Sequence, residues 1–190
     1  MIVYAALAPH PPLLIPDIGG DRLRDVQATV EGMRNLARKL VDSDPQTLVF
    51  ITPHGNVFSD CLTALGEKRL HGDLTNFGSR LQISAANDLE LLHEIALESA
   101  GRGISFVILD RQVALDNGLN PKLDHGILVP LFYLKEAGLK DIPVVAISIG
   151  FLSDLELYAF GQLVQKSAEK LGRRVALLAS GDMSHRLLNE

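Results

Sequence analysis

A chain of 190 residues has the length of one domain and can bury a substantial core. With 47% hydrophobic and 22% charged residues it is globular, and a net charge of -5 argues against nucleic acid or an anionic membrane surface as partner. A single cysteine, Cys61, excludes an internal disulfide framework and a multi-cysteine metal cluster, which points to the cytosol and to a buried thiol.

The start, "MIVYAALAPHPPLLIP", lacks the basic residues of a signal peptide, and no apolar stretch approaches the ~18 residues of a membrane span. Residues 2–8 read as a buried strand ended by proline. Leu23, Val26, Val30, Met33, Ala37 and Leu40 then repeat at spacings of three and four, the stripe of a long amphipathic helix. "TLVFIT" is a second strand, and 58–83 reads as short strands and loops. A helix is expected from about Asp88, with Asn87 as N-cap and Glu90 three residues on. "ISFVIL" is a third strand, followed by a polar loop over 110–123. "HGILVPLFYLKEAG" reads as a largely buried helix, with Pro130 marking a kink or a later start. "IPVVAISIG" is a fourth strand, Ser153 and Glu156 form a capping box, and Leu157, Phe160, Val164, Ala168 and Leu171 give the next inner stripe. "RVALLAS" is a fifth strand. Apolar strands alternating with helices indicate an α/β fold with a mainly parallel central sheet and helices on both faces.

Histidines fall at telling places in this pattern. His10, His54 and His185 each follow the end of an expected strand, the edge at which open α/β sheets build their sites. Neutral imidazole ligates Zn, Fe, Cu or Ni, and near its ordinary pKa of about 6.5 it moves protons. Prolines around His10 ("PHPP") and before His54 ("TPHGN") restrict the backbone and suit ligands. His185, in "GDMSH", suits an acid/base role oriented by Asp182 or Ser184. His125, in "LDHGILVP", opens a helix, where a neutral ring could donate to an oxygen developing negative charge. His71 and His93 lie outside the pattern and read as surface residues. Ser180 lacks the G-x-S-x-G elbow, and no phosphate-binding glycine fingerprint is present.

"APHPPLLIP", "TPHGNVFSD", "LDHGILVPLFYL" and "LASGDMSHRL", in that order, resemble the class III extradiol ring-cleavage dioxygenases, the family of the catalytic subunit of protocatechuate 4,5-dioxygenase. The nearest likeness is to the dioxygenase-like branch associated with AMMECR1-type proteins, and Memo-type proteins are more distant. The resemblance implies a non-haem Fe(II) oxidoreductase that opens a catecholic aromatic ring with O2. It implies His10 and His54 as metal ligands, His185 as acid/base and His125 as a residue of the substrate pocket. Zinc or copper is the alternative metal. Expected partners are a small aromatic diol and O2, with no nucleic acid and no membrane, and with homo-oligomerisation left open.

In the family the third ligand is a glutamate on a strand well beyond the S-H motif. Glu190, five positions after His185, is a poor match for it. The expectation is therefore a single catalytic-type domain over 1–190 that lacks the C-terminal part of the family fold. The alternative function is a Memo-like metal- or ligand-binding protein of the same fold without dioxygenase activity.

Overall fold

The structure, a computed structural model, describes residues 1–182. In chain order the elements are β1 (Ile2–Ala8), α1 (Pro16–Gly19), α2 (Gln27–Asp42), β2 (Thr47–Thr52), β3 (Leu62–Leu65), β4 (Arg69–Asp73), β5 (Gln82–Ala86), α3 (Leu89–Gly101), β6 (Phe106–Leu109), α4 (Arg111–Asp116), α5 (His125–Glu136), β7 (Val144–Ser148), α6 (Asp154–Lys170) and β8 (Val175–Ser180).

Six strands form one sheet in the order β1-β8-β2-β7-β3-β6. All neighbours are parallel except β3 and β7, which run antiparallel. The expectation of a mainly parallel sheet is met. β4 and β5 pair separately as an antiparallel hairpin that continuous apolar runs do not announce. Two cores flank the sheet. Met33, Ala37 and Leu40 of α2 pack with Leu128 and Leu134 of α5 and with Leu48 and Phe50 of β2. On the other face Leu91 and Ile95 of α3 pack with Phe160 and Val164 of α6 and with Val49 and Val145. Burial of these side chains, at about 25 cal/mol per Å² of apolar surface, is the main force holding the layers together.

Local differences from the sequence reading have local causes. The stripe beginning at Leu23 enters through a 3-10 stretch, Gly20–Val26, so regular helix starts only at Gln27. Asp88, not Asn87, caps α3, its carboxylate accepting from Leu91 N–H at 3.1 Å. Asn87 instead donates to the carbonyls of Leu65 and Glu67. The loop expected over 110–123 contains α4, nucleated by Asp110 accepting from Val113 N–H. The Ser153–Glu156 capping box is present. Cys61 is half-buried, and burial followed by the nearby Asp60 charge pushes its thiol pKa up.

Candidate metal centre

Because β1, β8 and β2 are neighbours and parallel, their carboxyl ends share one edge of the sheet. His10 lies two residues beyond β1, His54 two beyond β2, and Ser180 closes β8. α5 begins at this edge with His125. Residues far apart in the chain thus meet. The His10 and His54 rings are 4.7 Å apart between centroids, His54 and His125 4.1 Å, and His10 and His125 5.4 Å. One ring nitrogen from each lies within 4.8 Å of the others. His10 is buried, His125 half-buried and His54 exposed, so the cluster opens to solvent on the His54 side.

The tautomer of His10 follows from a chain of hydrogen bonds that begins at Pro130. Proline has no N–H, so the carbonyl four residues back, that of Gly126, gets no helical donor from it. That carbonyl accepts instead from the Ser180 hydroxyl at 2.5 Å. The hydroxyl has a single proton, so Ser180 Oγ must accept from His10 Nδ1–H at 2.7 Å. The neutral His10 ring thus carries its proton on Nδ1 and presents the lone pair of Nε2 to the cluster. His54 Nε2 faces it at 2.9 Å.

A second network fixes His125. Asp124 is buried, caps α5, and accepts from Gly126 N–H and from the Thr52 hydroxyl, each at 2.7 Å. Burial raises its pKa against the pull of these donors and of His54. Thr52 Oγ in turn accepts from His54 N–H at 3.2 Å, so one threonine at the end of β2 links the two histidine segments. Gly126 is required by close approach, since a Cβ there would overlap Thr52 Oγ1 and stand 2.8 Å from Asp124 Oδ1. Burial, then the neighbouring His54 and His10, hold the His125 pKa down to about 4, while Asp182 opposes the shift. His125 is accordingly a neutral imidazole at pH 7, with the Phe77 ring edge-on to it at 5.2 Å.

Two nitrogens bonded at about 2.1 Å to one ion at right angles stand about 3.0 Å apart. The 2.9 Å separation of the His10 and His54 nitrogens fits a shared divalent metal, and imidazole donors suit Fe, Zn, Cu or Ni. A cavity of about 1060 Å³ lined by Lys68, Arg69, Arg111 and Lys122 among others includes none of these three histidines.

The structure brings together His10, His54 and His125. His185 and Glu190 lie outside the described residues. His71 and His93 are exposed on β4 and α3, as expected of surface residues. Sequence reasoning did not identify Thr52 and Asp124 as site residues, and it passed over Ser180. Asp124 carried a usable signal, an aspartate directly before the first helical residue; Thr52 and Ser180 are single polar residues ending apolar strands.

Comparison with known proteins bears on this geometry. Residues 4–190 match the sequence family described as the catalytic LigB subunit of aromatic ring-opening dioxygenase. A Clostridium acetobutylicum protein, CA_C1420, is 31% identical over 182 residues, 95% of this chain and 39% of that protein. A MEMO1 family protein of Pyrococcus furiosus, PF1638, is 32% identical over 77 residues, 39% of this chain and 26% of that protein. A 2,3-dihydroxyphenylpropionate/2,3-dihydroxicinnamic acid 1,2-dioxygenase of Paraburkholderia phymatum is 28% identical over 176 residues, 87% of this chain and 51% of that protein. Among solved structures, the uncharacterized protein JW3007 of Escherichia coli K12 shares the fold, with a TM-score of 0.56 at 19% identity over 82% of this chain and 54% of that one. The chain spans between about a quarter and about half of the length of these relatives.

Proposed function

The chain belongs to the LigB family, that of the catalytic subunit of aromatic ring-opening dioxygenases, and from this premise we propose that it is a non-haem Fe(II) extradiol dioxygenase domain acting on a catecholic aromatic with O2. The observation that carries the proposal is the convergence of His10 and His54, nitrogen to nitrogen at 2.9 Å, with His125 beside them at the carboxyl edge of the sheet. His10 and His54 hold the ion. When bound, Fe(II) supplies the redox chemistry that lets O2 react with the diol.

The remaining roles belong to protein groups. Ser180 keeps His10 in the tautomer a ligand needs. Asp124 and Thr52 hold the first turn of α5, so His125 meets the substrate as a neutral hydrogen-bond donor. Phe77 offers an aromatic edge beside it. His185 takes a proton from a substrate hydroxyl and returns it as the ring opens. The site belongs to a protein of cytosolic type, and no helix among the described residues is long and apolar enough to cross a membrane.

Anaerobic loading with Fe(II), followed by a panel of catechols that includes 2,3-dihydroxyphenylpropionate and then by O2, tests the reading. A yellow ring-opened product with matching O2 uptake is expected, abolished in His10→Ala and His54→Ala and reduced at least a hundredfold in His185→Gln. Bound iron with neither product nor O2 uptake across the panel rejects it. That second outcome supports a Memo-like metal-binding protein without turnover, a reading motivated by the likeness to the Pyrococcus protein.

A further inference from the structure

The β4–β5 hairpin has two unlike faces. Leu70 and Gly72 are buried, and a Cβ on Gly72 would stand 2.5 Å from the Leu123 carbonyl oxygen, so this face is closed against the chain leading into α5. Arg69 and His71 lie exposed on the other face, with Asp73 half-buried beside them. Ser84 and Gln82, the cross-strand partners of His71 and Asp73, share it. All five line the cavity of about 1060 Å³ that holds none of the three clustered histidines. Arg111, the first residue of α4, lines it as well, fixed there by its backbone N–H donating to Glu67 Oε1 at 2.9 Å.

The charges in this cavity are unbalanced. Lys68, Arg69, Arg111 and Lys122 face only two carboxylates, Glu67 and Asp73, in a chain whose net charge is -5. Asp73 is matched by Lys122 at 2.8 Å. Among the described residues, the side chains of Lys68 and Arg111 hold no hydrogen bond or ion pair, and the Arg69 guanidinium reaches only the Ser84 hydroxyl, at 3.2 Å. Cations of α6 and the turn after it are treated differently: Lys166, Lys170 and Arg173 each meet a glutamate of α3. A single guanidinium fork suffices for a planar carboxylate. Two forks and an ammonium suit a doubly charged tetrahedral oxyanion.

We propose that this cavity is a phosphate site, in which Lys68, Arg69 and Arg111 bind the phosphate group of a small molecule. Ser84, which accepts from Arg69, keeps its own proton to donate, and the Gln82 amide is a second neutral donor. The volume exceeds that of phosphate alone and leaves room for an organic group. The site is distinct from the histidine cluster, so it stands or falls independently of the proposed metal.

Titration of the ¹⁵N-labelled chain with inorganic phosphate and with phenyl phosphate, at low salt and followed by amide NMR shifts, tests the proposal. Saturable shifts are expected at residues 66–73, 84 and 111, with a dissociation constant of about 1 mM or tighter. Arg69→Gln and Arg111→Gln should each weaken binding by about fivefold or more, while Arg102→Gln, which removes the same charge outside the cavity, should stay within about twofold. Tighter binding of phenyl phosphate assigns an organic phosphate, and equal affinity assigns the free ion; both support the site. No saturable shift at residues 66–73 up to about 20 mM of either probe overturns it. So do shifts confined to the segments of His54 and His125, and so does an equal loss in Arg102→Gln, which marks attraction by net charge alone. Should Arg69→Gln disturb the hairpin, Lys68→Gln together with Arg111→Gln carries the same test, and unchanged affinity in that pair overturns the proposal.

Discussion

At the scale of single residues, the histidine cluster depends on polar groups that lie behind it. Thr52 donates to the buried Asp124 carboxylate and accepts from His54 N–H, so its hydroxyl couples the capping residue of α5 to the candidate ligand His54. Thr52→Val keeps the shape and removes both bonds. Asp124 keeps the Gly126 N–H but loses its hydroxyl donor, and the His54 N–H loses its acceptor; a buried group that loses its partner costs about 1–3 kcal/mol, so urea unfolding should show a loss of that size, with Thr52→Ser restoring most of it. His10 and His54 were legible in the sequence because each follows an apolar run and is held by proline. Thr52, Ser180 and Asp182 were not legible as partners, because their bonds join segments that are 72 (Thr52 to Asp124), 170 (His10 to Ser180) and 172 (His10 to Asp182) positions apart. Nothing local in a serine that ends a strand says which imidazole it will meet.

At the scale of elements, the proline inside α5 has a positive role. Pro130 withholds a donor from the Gly126 carbonyl, and Ser180 takes its place. Pro130→Ala introduces an N–H able to bond that carbonyl. The helix should gain stability, since proline disfavours a helix interior by about 3 kcal/mol. Competition for the carbonyl should loosen Ser180 and His10 and weaken Co(II) binding by roughly tenfold to a hundredfold, the usual range for partners of metal-bound histidines. A more stable helix with unchanged metal affinity would sever this link.

The β4–β5 hairpin is joined to the loop leading into α5 by Lys122 donating to Asp73 at 2.8 Å. This bond, followed by those from Thr75, holds the Asp73 pKa at about 2 against an ordinary 3.8. A depressed carboxylate contributes stability that is present above the unfolded pKa and is lost as pH falls through the folded one. Part of the acid sensitivity between about pH 4 and 2 should therefore disappear in Asp73→Asn, as read by thermal melts across that range. The sequence reading expected short strands over 58–83 but not their pairing, because "RLHGD" and "QISAA" are short and their pairing is decided by each other.

For the whole molecule, the proposed metal would be linked to the fold. The candidate ligand segments follow β1 and β2, with 38 residues between Ala8 and Thr47, so an ion bound to both stabilises only the folded arrangement. At a free metal concentration one hundred times Kd the gain is about 2.7 kcal/mol. For a chain of this size that is a rise in Tm of roughly 5–10 °C. Differential scanning calorimetry with Co(II) should show the rise, a chelator should reverse it, and His54→Ala should abolish it.

The sequence alone determined the alternation of strands and helices, the two-sided burial of the sheet, and the candidate metal ligands at strand ends. These are legible because apolar periodicity and proline act over a few neighbouring residues. Tertiary structure alone decided the reversed direction of β3, the separate hairpin, the tautomer of His10 through Pro130, Gly126 and Ser180, and the approach of Asp182 to His10. Strand order and side-chain proximity are properties of contacts between distant segments, and a linear pattern carries no measure of those distances.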